Sequence, residues 1–88
     1  MSCGPKRSGK AQVTVRYWAG AREAAGRDEE GLQADQLGDL VRLLAHRTPA
    51  LAEVLSVSSL LVDGLVSAPS RVLADGDVVE VLPPFAGG

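Results

Sequence analysis

Six residues, Pro83 Pro84 Phe85 Ala86 Gly87 Gly88, close the chain and carry its most suggestive chemical pattern. The last two have no side chains, so the terminal carboxylate of Gly88 sits on an arm narrow enough to thread into another enzyme's active site, with Gly87 supplying clearance. The prolines act in the opposite sense. Their fixed φ and missing N–H end the strand before them and hold the arm extended. At roughly 3.3 Å per residue the arm spans about 20 Å. The chemistry available to such an end is acyl chemistry. A free carboxylate is a poor electrophile, and the sequence supplies no nucleotide loop, no base and no activated nucleophile to improve it. Activation therefore has to come from another protein.

Other reactive residue types are sparse. Gly4 Pro5 Lys6 Arg7 Ser8 Gly9 Lys10 has the spacing of a phosphate-binding loop, but Ala11 stands where a Ser or Thr hydroxyl must hold magnesium. No strand precedes it, and a β-branched run follows where a helix is required. Residues 1–11 are read as a flexible arm. The single cysteine, Cys3, cannot form an internal disulfide, which suits a reducing cytoplasm. The single histidine, His46, has no second histidine or cysteine nearby, so no metal site is expected and a helix-end surface position is the default.

At 88 residues the chain is one small domain, with little room for an internal active site. No apolar run reaches the length of a membrane span. Three of the nine basic residues lie in the first ten positions, leaving residues 11–88 with six basic against eleven acidic groups. That balance argues against nucleic acid and for a basic surface on a protein partner. The acidic run Asp28 Glu29 Glu30 reads as a solvated loop or strand edge.

Regular patterning starts at Gln12. Val13, Val15, Tyr17 and Ala19 alternate with Thr14, Arg16 and Trp18, the period of a strand with one buried face, so Trp18 points away from the core. Two glycines make 19–26 a hairpin connection, and 29–34 is a short second strand weakened by Gly31. A helix follows with Leu37, Leu40, Val41 and Leu44 on one face; Asp35 is the better cap, and Pro49 ends the element. Residues 50–55 form a short turn of helix. Leu60 Leu61 Val62, the hairpin signal Asp63 Gly64, and the return Leu65 Val66 Ser67 come next. A turn over 73–77 delivers the chain into Val78 Val79 Glu80 Val81 Leu82. This order predicts an α+β domain over 12–82: a β-grasp, or ubiquitin-like, mixed sheet of four or five strands on one main helix, with 83–88 as its tail.

Three blocks resemble one known family. Tyr17 Trp18 Ala19 Gly20 Ala21 Arg22 Glu23 with Gly26, Leu73 Ala74 Asp75 Gly76 Asp77 Val78 Val79, and Leu82 Pro83 Pro84 Phe85 Ala86 Gly87 Gly88 are similar to the ubiquitin-like sulfur carriers of the MoaD/ThiS family, above all the molybdopterin synthase small-subunit type. The likeness runs from about Gln12 to Gly88, and Asp63 departs from it where the family often has Asn. The resemblance implies that an adenylating enzyme, similar to ubiquitin-activating enzymes, uses ATP and magnesium to turn the Gly88 carboxylate into an acyl adenylate. Sulfide from a persulfide-bearing sulfurtransferase then displaces AMP, and the thiocarboxylate donates sulfur within the large molybdopterin synthase subunit. It implies no cofactor bound by this chain. Carriers for thiamine, cysteine, thiolated tRNA or a secondary metabolite, a protein modifier joined through Gly88, and a plain adaptor are the alternatives.

Strand parity adds a partner surface. Val79 and Val81 face the core and Val78, Glu80 and Leu82 face outward. With first and last strands adjacent, as in a β-grasp sheet, Trp18 and Leu82 share an exposed apolar patch beside the tail, the kind of surface that marks binding. Along the tail, Pro83, Pro84, Phe85 and Ala86 complete the partner contacts, Phe85 as the anchor in the partner's groove, while Arg22 pairs with an acid at the rim.

Overall fold

The alternation of Val13, Val15 and Tyr17 is realised as strand β1, Ala11–Tyr17, whose odd-numbered residues are buried. The structure is a computed structural model that describes residues 10–84. β1 starts one residue before the regular pattern does, because Ala11 is buried opposite Ala34. Beyond it the elements are α1 (Ala19–Ala25), β2 (Glu29–Ala34), α2 (Leu37–Ala45), α3 (Pro49–Val57), β3 (Ser59–Val62), β4 (Leu65–Val66) and β5 (Val78–Leu82).

The strands form one mixed sheet in the order β2-β1-β5-β3-β4. β1 and β5 are parallel neighbours at its centre, with Thr14 opposite Val78 and Tyr17 opposite Val81. All other pairings are antiparallel. Val13, Val15, Val62, Val79 and Val81 project from one face onto Leu37, Leu40 and Leu44 of α2, Leu51 and Leu55 of α3 and Ala21 of α1. This is the expected β-grasp arrangement of an α+β domain, with the core confined to one side of the sheet.

Four local expectations are corrected. The segment after β1 is a helix, not a plain hairpin connection: Ala21, Ala24 and Ala25 recur at helical spacing against the core, and Gly26, at φ +78°, is the left-handed residue that ends the helix, its N–H donating to Arg22 O at 2.9 Å. Ala19 accordingly leaves the strand's alternation and takes φ +48° as the chain bends into α1. Asp35 does not cap α2. Its carbonyl accepts from Leu73 N–H at 2.9 Å in the extended chain, and Gln36 becomes the cap, its N–H donating to Asp39 Oδ2 at 3.2 Å. Pro49 opens a helix instead of closing one: α2 has already ended at Ala45, and Thr48 Oγ1 accepts from Leu51 N–H at 3.0 Å to start α3 with proline in its first turn.

The Asp63–Gly64 turn is a tight one, with φ +51° and +86°. Asp63 also reaches across to β5, its Oδ1 accepting from Val78 N–H at 3.0 Å, so one residue both turns β3 into β4 and fixes the start of the last strand. Asp and Asn take left-handed backbone at lower cost than alanine. Asp63→Ala is therefore expected to cost about 1–2 kcal/mol, and Asp63→Asn, which keeps an acceptor, less than about 0.5 kcal/mol. Urea unfolding midpoints at constant slope check both.

Candidate functional site

The last strand is brought to the middle of the sheet by its parallel contact with β1, so the tail leaves from the sheet's centre beside the end of β1. Trp18 stands at that exit. Its N–H donates to Val81 O at 3.2 Å and its carbonyl accepts from Ala21 N–H at 2.9 Å, so the backbone is held by β5 on one side and by α1 on the other. Trp18 remains 39% exposed, on the face away from the core. Arg16, two residues earlier on that face, lies over the ring with its guanidinium carbon 5.2 Å from the centroid, a cation–π contact. Continuing the β1–β5 register sets Trp18 beside half-buried Leu82, the pairing that strand parity predicts.

A cleft of about 410 Å³ adjoins this spot, lined by Arg16, Tyr17, Trp18, Arg22, Asp28 and Glu29. Arg22 pairs within the chain, 3.6 Å from Asp28, and Arg16 lies 3.6 Å from Glu29. All four side chains are substantially exposed, so these pairs hold little energy and exchange readily for a partner's charges. Pro83 is half-buried, and the chain turns at Pro84. Phe85, Ala86, Gly87 and Gly88 lie outside the described residues, as does most of the 1–11 arm.

Glu30 corrects the reading of the acidic run as wholly solvated. Asp28 and Glu29 are exposed, but the Glu30 side chain is only 7% exposed. It accepts the Tyr17 hydroxyl at 2.5 Å and Arg47 Nη1 at 2.8 and 2.9 Å, with Arg27 Nη1 at 3.4 Å. The cluster ties the end of β1 and the edge strand β2 to the chain after α2, directly behind Trp18. Burial pushes the Tyr17 phenol up, and its hydrogen bond to Glu30 adds to that. For Glu30, burial by itself raises the pKa, but the hydrogen bonds from Tyr17 and Arg47 and the charges of Arg47 and Arg27 outweigh it and hold the carboxyl below the usual glutamate range. Spacing along the chain gives no sign of this cluster, since Arg47 is seventeen residues from its partner.

Elsewhere the described residues offer little chemistry. His46 is an exposed residue at the end of α2, and no group of three His, Cys, Asp or Glu side chains is placed to hold a metal ion. Among the described residues no helix is long and apolar enough to cross a membrane. A groove of about 570 Å³ between α2 and β3–β4 has a mostly aliphatic wall with serine hydroxyls and Arg42.

Comparison with known proteins agrees with this geometry. Residues 15–88 match the ThiS family. A molybdopterin synthase sulfur carrier subunit of Mycobacterium tuberculosis is 33% identical over 81 residues, which cover 88% of this chain and 98% of that protein. Among solved structures, the small archaeal modifier protein 1 of Methanosarcina acetivorans superposes with a TM-score of 0.78 at 28% identity, covering 90% of this chain and 98% of that one. A chain from the complex of subunits 1 and 2 of the molybdopterin-converting factor of Helicobacter pylori gives a TM-score of 0.69 at 27% identity, covering 88% and 99%.

The depressed Glu30 pKa has a defined sign. Its stabilisation is fully present above the unfolded glutamate value of about 4.3 and is lost as pH falls through the lower folded value. Glu30→Gln should cost about 1–3 kcal/mol at pH 7 and flatten the acid limb of the stability–pH curve, as followed by denaturant unfolding between neutral and acid pH.

Proposed function

This chain belongs to the ThiS family, and from that premise we propose that it is the sulfur carrier subunit of a molybdopterin synthase, with the Gly88 carboxylate as the point of attachment. The observation that carries the reading is the placement of β5: the last strand is central, and its exit is flanked by exposed Trp18 and half-buried Leu82. The likeness to the Mycobacterium tuberculosis sulfur carrier subunit and to a chain from a complex of two converting-factor subunits supports it.

In this mechanism an adenylating enzyme binds the body and receives the tail. The carboxylate oxygen of Gly88 attacks the α-phosphorus of ATP, held with magnesium by that enzyme, and pyrophosphate leaves. The outer sulfur of a persulfide on the sulfurtransferase then attacks the acyl adenylate, AMP departs, and a thiol reductant cleaves the S–S bond of the resulting acyl disulfide, leaving the sulfur on Gly88. The resulting thiocarboxylate enters the large subunit, where its sulfur passes to the pterin precursor. Gly87 gives the backbone clearance for both active sites. Trp18 and Leu82 dock the body, Pro83, Pro84, Phe85 and Ala86 run along the partner's channel, and Arg22 exchanges Asp28 for an acid at the rim. The body itself holds no cofactor in this scheme, and the cytoplasm, where the activating enzyme finds ATP, is the compartment that fits. Residues 1–10 take no part, 11–82 present the tail, Ala11 being the first residue of β1, and 83–88 carry the sulfur.

A second reading, conjugation of Gly88 to lysines of target proteins, has one observation in its favour, the structural likeness to a small archaeal modifier. Intact-mass spectrometry after incubation with an adenylating enzyme, ATP and a sulfur donor separates the two. The sulfur-carrier role predicts replacement of one oxygen by sulfur on the free chain. Conjugates with other proteins and no such mass shift would establish the modifier, and an unchanged chain would contradict both.

A further inference from the structure

The outer face of the sheet places an acid where a docking surface would have to bury it. The pairing registers set out that face in rows: Thr14 beside Val78, then Glu29, Arg16, Glu80, Leu61 and Val66 from strand to strand, then Trp18 beside Leu82 and Ser59. Glu80 is at the centre. Its neighbours two residues away along β5 are Val78 and Leu82, its cross-strand neighbour on β3 is Leu61, and all three are half-buried apolar residues. On the other side stands Arg16, whose guanidinium is drawn away, toward Glu29 on the opposite strand and over the Trp18 ring. Among the described residues Glu80 makes no ion pair and no side-chain hydrogen bond.

A protein that covers Trp18, Leu82 and Leu61 also takes Glu80 out of water. An ionised carboxylate buried without a partner is strongly unfavourable, so the covering surface has to bring a cation to it. Guanidinium fits better than ammonium, because it is planar, weakly hydrated and able to grip a carboxylate with two N–H groups while lying flat among apolar side chains. The acidic balance of residues 11–88 favours the same sign of partner. The geometry points to Glu80 as the residue that sets partner specificity: it receives an arginine from the surface of the second subunit, while Arg16 is turned toward Glu29 and the Trp18 ring. This inference rests on the reading that the Trp18–Leu82 face docks the second subunit.

Titration calorimetry with the second, large subunit of the synthase tests it, using the full chain and three variants whose folding is checked by thermal melts. Glu80→Gln is expected to weaken binding about 10-fold and Glu80→Arg about 100-fold, with melts unchanged and a shallower dependence of affinity on salt for Glu80→Gln. Trp18→Ala should weaken binding as well. If both Glu80 variants bind as the parent does, or Glu80→Gln binds more tightly, while Trp18→Ala loses affinity, no cation meets Glu80 and the inference is overturned while the docking face stands. If Trp18→Ala and both Glu80 variants bind unchanged, the docking face itself is wrong and the inference falls with it.

Discussion

The parallel pairing of β1 with β5 is the constraint on which the rest of the molecule depends. Thr14 and Val78 are far apart in the chain yet adjacent in the sheet, so every element between them belongs to the connection that allows the two ends to meet. Parallel neighbours need such a crossover, and here α2 and α3 provide it while covering the apolar face. Val15, Tyr17, Val79 and Val81 are then almost completely buried. The same pairing sets the direction of exit: the chain leaves from the centre of the sheet, where neighbours on both sides fix its root.

A sheet covered on one side has a second face with different duties. The inner face is apolar apart from the Tyr17–Glu30 hydrogen bond, whereas the outer face mixes half-buried Val78, Leu61 and Leu82 with Arg16 and Glu80. That mixture keeps the uncovered face compatible with water and gives a partner both apolar area and charges to read. Behind it, Glu30 joins Tyr17, Arg27 and Arg47 with nearly all its side chain out of solvent, so the end of β1 is fixed before any partner arrives. Preorganisation of this kind lowers the ordering cost of docking.

Much of this was legible in the sequence because it rests on short-range rules. Period-two alternation placed Val13, Val15, Val79 and Val81 inside and Trp18 outside, and Asp63–Gly64 announced its turn through the two residue types that accept positive φ. The failures share a physical cause. Gly20 and Gly26 read as turn residues, yet Gly26 terminates a helix whose apolar face is made only of alanines, a signal too small to register as periodicity. Asp35 has the better capping chemistry but is committed to Leu73, and Glu30 looked solvated because Arg47 reaches it only after α2 folds back. Each depended on a contact made in three dimensions. The partner pairing of Trp18 with Leu82 followed from parity and a correct strand order, whereas Phe85 to Gly88 stand outside the described residues and rest on chemistry and family likeness alone.

The central claim is that a rigid body presents a bare glycine carboxylate for others to charge with sulfur. It is tested most directly by adding a single alanine after Gly88 and measuring sulfur delivered to the pterin by the reconstituted synthase under conditions of multiple turnover. The account predicts that the extended chain still folds and still binds the large subunit but delivers no sulfur. Undiminished delivery from the extended chain would contradict it.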